Sequence, residues 1–179
     1  PDAEIIVSTW VGEDETTLEG IQAAGGYVKL NEPPETTGVF NINRQIVSAL
    51  AGIKFARELG CDFCLKTRTD QRIYRHDALL FLLSMIREFP VADANRGVEH
   101  RLIGVSLNTF KFRLYGMSDM FQFGSVNDMS RYWGCEFDPR LEVVLAGNTL
   151  REYAQANICE VYLCTSYLEA LGETVHWSL

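Results

Sequence analysis

Three short apolar runs, Glu4–Trp10, Tyr27–Leu30 and Cys61–Thr67, each end in polar residues and are separated by stretches of helical periodicity. This alternation constrains the fold more than any other feature. A strand, a covering helix and a second strand pack stably only through a right-handed crossover in one sheet. The segment Gly12–Ala24 reads as loop and helix closed by Gly25-Gly26, and Asn31-Glu32-Pro33-Pro34 stops the second strand. The next helix is the clearest. Ile42, Ile46, Leu50 and Ile53 form one stripe, Asn41 or Asn43 is placed to cap it, and Gly60 ends it. Asp77 is placed to cap a further helix that stops at Pro90.

The second half changes character. Leu102–Asn108 alternates, with Ile103, Val105 and Leu107 on one side, which predicts a half-covered strand. Met120–Phe123 reads as another strand, and Ser125 with Asp128 as a capping-box start of a short helix. Thr149–Leu171 is helical with a break near Asn157, and Thr174–Trp177 reads as a last short strand. The expected fold class is α/β: a Rossmann-like, mostly parallel sheet flanked by helices, in a single domain over residues 1–179.

In such sheets ligands bind beyond the carboxyl ends of the strands. Ser8-Thr9-Trp10, Asn31-Glu32 and Thr67 through Arg72 should therefore line one crevice. Lys66-Thr-Arg-Thr-Asp-Gln-Arg72 offers three cations and one carboxylate directly after an apolar strand. Arg44 stands in the first turn of a helix, where a cation opposes the positive dipole end and an anionic ligand would offset that cost. Trp10 is suited to stack on a flat base or to fill the core. Asp119 and Glu160 are the carboxylates placed to take a proton from a hydroxyl or to serve as structural acceptors. His176, alone in Val-His-Trp, reads as structural.

Composition narrows the function. Sixteen basic against 24 acidic residues give a net charge of −8, a field that disfavours nucleic acid. The basic residues are 12 Arg and 4 Lys, a ratio rich in forked donors for phosphate or carboxylate. No run approaches the roughly 18 apolar residues of a membrane span, and Ala78–Ile86 is broken by Ser84. Five cysteines suggest no disulfide framework. Cys61 and Cys64 would face opposite sides of a strand, and Cys159 and Cys164 would lie about 140° apart on a helix, so buried reduced thiols are expected, as in the cytosol. The chain opens at Pro1 without a leader pattern and reads as a trimmed chain or a piece of a longer protein. The absence of a Walker loop, a GxGxxG and a Gly-x-Ser-x-Gly elbow argues against an NTPase, a dinucleotide oxidoreductase and an esterase.

Asn43-Arg-Gln-Ile-Val-Ser-Ala-Leu-Ala-Gly-Ile-Lys, Leu65-Lys-Thr-Arg-Thr-Asp-Gln-Arg-Ile-Tyr74 and Met117-Ser-Asp-Met-Phe-Gln-Phe-Gly-Ser125 resemble the WavE lipopolysaccharide-synthesis family, and more distantly GT-A glycosyltransferases. The resemblance runs from about Ile5 to Glu169. It implies transfer of a sugar from a nucleotide-diphospho-sugar to a glycan or lipid-linked glycan acceptor by a cytoplasmic enzyme, peripheral association with the inner face of the membrane being left open. Thr9, Trp10 and either Asn31 or Glu32 would hold the nucleoside; Arg44 would approach the diphosphate, with Lys66, Arg68 and Arg72 able to supply further positive charge. The family-type DxD motif is reduced to Thr69-Asp70-Gln71-Arg72, leaving Asp70 as the one ligand for Mg²⁺ or Mn²⁺, with the basic side chains as alternative neutralisers. Glu160, with Asp119 second, matches the position of the catalytic base. Two rivals are a sugar nucleotidyltransferase, whose glycine-rich first loop is absent from Ser8–Glu13, and a non-catalytic nucleotide- or glycan-binding module.

Overall fold

The computed structural model describes residues 3–92, 97–107, 109, 113–143 and 149–177. Strand β1 (Ile6–Trp10) pairs in parallel with β2 (Tyr27–Asn31), Trp10 lying opposite Asn31. Helix α1 (Glu15–Ala23) makes the crossover and is capped by Asp14, whose carboxylate accepts from the Thr17 amide at 2.8 Å. Helix α2 (Ile42–Glu58) follows, packed on β1 and β2. Ile42, Ile46 and Ile53 of the expected stripe are buried, and Leu50 sits partly buried at the margin. They meet Val126, Met129, Tyr132, Trp133 and Leu163 in the main core. Each fully buried Ile of that stripe contributes about 1.5–3 kcal/mol relative to exposure.

The start of α2 departs from the expected cap. A 3₁₀ turn, Val39–Asn41, precedes it, with Phe40 and Asn41 both left-handed at φ 51° and 62°. Neither Asn41 nor Asn43 caps the helix with its side chain. Gly38 makes the approach possible. Its φ is +66°, and a Cβ there would stand 2.7 Å from the Ile42 side chain.

Strand β3 (Phe63–Lys66) and β4 (Ile103–Gly104) both pair antiparallel with β5 (Gln122–Ser125), in the order β3-β5-β4. The expected mostly parallel sheet is thus corrected to one parallel pair and one antiparallel triple of a mixed α/β fold. The reason lies in the connections. Helix α3 (Ala78–Glu88) supplies a crossover that leaves β4 running the same way as β3, whereas among the described residues no helix lies between β4 and β5, and β5 enters between them reversed. The alternating run from Leu102 forms strand only at Ile103–Gly104, since a turn at Ser106–Thr109 ends it; Asn108 lies outside the described residues. Asp77 precedes α3 without capping it, because Arg75 takes both of its oxygens. Thr174–Trp177 is not a strand.

Helix α4 (Val126–Trp133) begins at Ser125, whose hydroxyl accepts from the Asp128 amide and donates to the Asp128 carboxylate. Helices α5 (Leu150–Gln155) and α6 (Cys159–Ala170) break at Asn157, which is left-handed at φ 54°. The Arg44 guanidinium, in the first turn of α2, lies 6.0 Å from the Trp10 ring centroid at the end of β1. Helix α2 therefore runs back along β1, and the short connection to β3 reverses the chain again. The tips of β1 and β2 lie side by side at the start of α2. None of the described helices is long and apolar enough to cross a membrane.

Candidate functional site

At the tips of β1 and β2 Ser8, Thr9 and Asn31 are engaged with neighbouring side chains and backbone. Asn31 is buried, and its amide donates to Ser8 Oγ at 2.9 Å and to the Thr9 carbonyl at 2.7 Å. It ties the two strand ends together. Thr9 Oγ1 donates to Glu13 at 2.8 Å, and Glu32 is exposed. Trp10 is half-buried under the exposed Arg44, a cation–π pair that presents both an aromatic face and a guanidinium beside the start of α2.

The tip of β3 is built on a polar floor inside the core. Trp133 is fully buried, and its Nε1 donates to Gln122 Oε1 at 2.8 Å. Gln122 Nε2 donates to the Ser118 carbonyl at 3.1 Å. Lys66 lies over this floor with its Nζ 5.0 Å from the Trp133 ring centroid and donates to the Asp119 carbonyl. Burial lowers the Lys66 pKa below the ordinary 10.5; the Asp119 carboxylate opposes that shift, and Arg68 adds to it. Beyond Lys66 the chain turns. The Gln71 amide donates to the Arg68 carbonyl, and Thr67 Oγ1 donates to Gln71 Oε1 at 3.0 Å. Arg72 and Gln71 border a cavity of about 400 Å³ walled by Ile73, Val105, Leu107 and Phe121.

Asp70 fits poorly as a metal ligand. Its two oxygens accept from Arg68 Nε at 2.9 Å and Arg68 Nη2 at 2.8 Å, and that fork holds its carboxyl below the usual carboxylate range. A cation would have to displace Arg68 from an exposed lone carboxylate. Among the described residues, Asp70 belongs to no group of three convergent ligands; the group that does converge is Glu99, His100 and Asp128. The spacing of Asp70 and Arg72 foretold the missing second acid, but not the local ion pair.

The two remaining carboxylates come from the second half. Glu160 stands in the first turn of α6, 3.6 Å from Arg113, with both side chains largely buried. Its neighbour Cys159 points its thiol at the Val39 carbonyl, 3.7 Å away in the turn that precedes α2. Burial first, then the Glu160 and Asp119 carboxylates, push the Cys159 thiol up to about 12. Asp119 thus acts on Cys159 of α6 and on Lys66 and Arg68 at the tip of β3. Lys66 and Arg68 are thus near Asp119, and Glu160 is the neighbour of Cys159; Trp10 and Arg44 stand together beside the start of α2.

Sequence reasoning missed Arg113, Gln122 and Trp133. Gln122 carries a signal in retrospect, being a polar residue between Phe121 and Phe123 in a strand. The pairing of Arg113 with Glu160 leaves no local trace, because the two are far apart in the chain.

Lys66 and Arg68 stand at the tip of β3 beside Asp119, a cation pair of the kind suited to an anionic leaving group. No curated protein and no solved structure matches the chain. The family model described as WavE lipopolysaccharide synthesis matches residues 1–178, and the chain therefore belongs to that family.

Proposed function

We propose that this chain is a glycosyltransferase of GT-A type, moving a sugar from a nucleotide-diphospho-sugar to a lipopolysaccharide or related surface-glycan acceptor. The observation that carries the reading is the partly desolvated Lys66 at the tip of β3, with Arg68 beside it and Asp119 and Glu160 nearby. Departure of a nucleoside diphosphate places negative charge on the β-phosphate, and fixed cations in a site partly withdrawn from water stabilise it. Lys66 and Arg68 supply that charge, with Arg72 at the cavity rim, and no step requires Asp70 to hold a metal. Trp10 offers a face for the base, and Arg44 meets the phosphates at the start of α2. Glu160 takes the proton from the acceptor hydroxyl, and Asp119 sets the field on Lys66.

Membership of the WavE family supports the glycan acceptor. The test is turnover of radiolabelled nucleotide-sugars on lipopolysaccharide acceptors truncated to different depths. Labelled glycan should form with one donor, and Glu160→Gln should lower turnover by about 10²–10⁴-fold while leaving donor binding intact. Donor binding without transfer or hydrolysis on any acceptor would instead make the chain a binding module.

A further inference from the structure

Away from the strand tips, Glu99, His100 and Asp128 bring one ligand atom each to within 4.8 Å of one another. Asp128 is 1% exposed. Its Oδ1 accepts from the Glu99 amide at 3.1 Å, and its Oδ2 accepts from the His100 amide at 2.8 Å and from Ser125 Oγ at 2.7 Å. The backbone of both other residues is therefore fixed on the Asp128 carboxylate. Asn127 Nδ2 donates to Glu99 Oε1 at 2.6 Å and holds that side chain over the start of α4. The His100 ring packs edge-on against Phe63, 5.2 Å between centroids.

Two features leave this cluster electrostatically unfinished. The His100 Nδ1 is buried and has no hydrogen-bond partner, a condition native interiors rarely tolerate without a ligand or water. Two carboxylates also face each other, and among the described residues no Lys or Arg forms an ion pair with either. The positive end of α4 meets part of that charge, and Asp128 alone would suffice for it.

We propose that Glu99, His100 and Asp128 hold a divalent transition ion of the zinc class. One imidazole and two carboxylates are donors that Zn²⁺ accepts, with water completing the shell, and the nitrogen selects against Mg²⁺. The site is structural. His100 packs at Phe63, which pairs with Ser125, whereas Lys66 pairs with Gln122 three residues further on, about 10 Å along the strand. The ion staples the segment that leads into β4 onto the start of α4 and the base of β3. It lies away from the proposed leaving-group site and outside the DxD position.

The experiment uses the full chain, stripped with a chelator and dialysed, then titrated with Zn²⁺ against a chromophoric chelator and with Co²⁺ in the visible range. One equivalent of Zn²⁺ should bind at micromolar concentration, Co²⁺ should give a ligand-field band, and Mg²⁺ should not compete. His100→Phe keeps a ring against Phe63 and removes the nitrogen; it should weaken Zn²⁺ by at least about tenfold and abolish the rise in Tm that Zn²⁺ gives. Glu99→Gln, at an exposed position, should weaken binding without unfolding the chain. Asp70→Asn should bind Zn²⁺ as the wild type does. Absence of stoichiometric Zn²⁺ binding, or equal binding by wild type and His100→Phe, would overturn the assignment.

Discussion

Asn43 and the backbone of Asp138 exchange two hydrogen bonds across 95 residues of chain: Asn43 Nδ2 donates to the Asp138 carbonyl at 2.8 Å, and Asn43 Oδ1 accepts from the Asp138 amide at 2.7 Å. A third bond runs from Nδ2 to the Thr36 carbonyl at 3.0 Å. Asn43 is wholly buried, so nothing else can serve those groups. Asn43, one of the two candidate caps read from sequence, is instead the pin that fixes the first turn of α2 to Asp138 and Thr36. Asn43→Ala should leave the Asp138 amide and two carbonyls unpaired. The expected loss is about 2–4 kcal/mol of unfolding free energy, read as a fall in the urea midpoint at unchanged slope. A change within about 0.5 kcal/mol would mean that water replaces the side chain.

The buried position of Lys66 gives a pH signature. Its folded pKa lies below the ordinary 10.5 because burial disfavours the ammonium. Between the folded pKa and 10.5 the unfolded chain binds more protons than the folded one, so this group makes stability rise with pH in that window. Below the folded pKa both states are charged and the penalty is constant. Binding of a diphosphate should move the opposite way, weakening as alkaline pH neutralises Lys66 earlier than a free lysine. Lys66→Arg should shift that weakening out of the accessible range. An identical alkaline limb in wild type and Lys66→Arg would show that another group titrates.

The thiols offer a separate check on the packing. Burial pushes Cys64 and Cys159 up to about 12 and Cys135 and Cys164 up to about 11; the charge of Cys61 adds to the first and the Glu160 and Asp119 carboxylates to the second. Thiolate is the reactive form, so at pH 8 the first two should hold about a thousandfold less of it than ordinary cysteines. Alkylation mapped by mass spectrometry should leave these four slow in the folded chain and fast in urea. Rapid labelling of Cys159 in the native state would place α6 away from the turn before α2.

Much of this architecture is legible in the sequence because it is local. The stripe Ile42, Ile46 and Ile53 has helical spacing and is buried as spaced, and Ser125 with Asp128 forms the expected start of α4. The break at Asn157 follows from a residue type that tolerates the left-handed conformation. What escaped is non-local. The reversed entry of β5 between β3 and β4 depends on pairing choices no single strand encodes, and the Arg68 fork on Asp70 depends on a turn between them. The meeting of Glu99 and His100 with Asp128 joins a loop to the first turn of α4 across 29 and 28 residues, with no spacing rule to announce it.

Calorimetric titration of nucleoside diphosphates and their monophosphates, on wild type and on Lys66→Met, bears most directly on the claim that the tip of β3 receives a leaving diphosphate. One nucleoside diphosphate should bind the wild type at least about tenfold more tightly than its monophosphate, and Lys66→Met should erase that difference while keeping the native circular-dichroism spectrum. A wild type that binds no nucleoside diphosphate at millimolar concentration, or a Lys66→Met chain that retains the full preference, would contradict it.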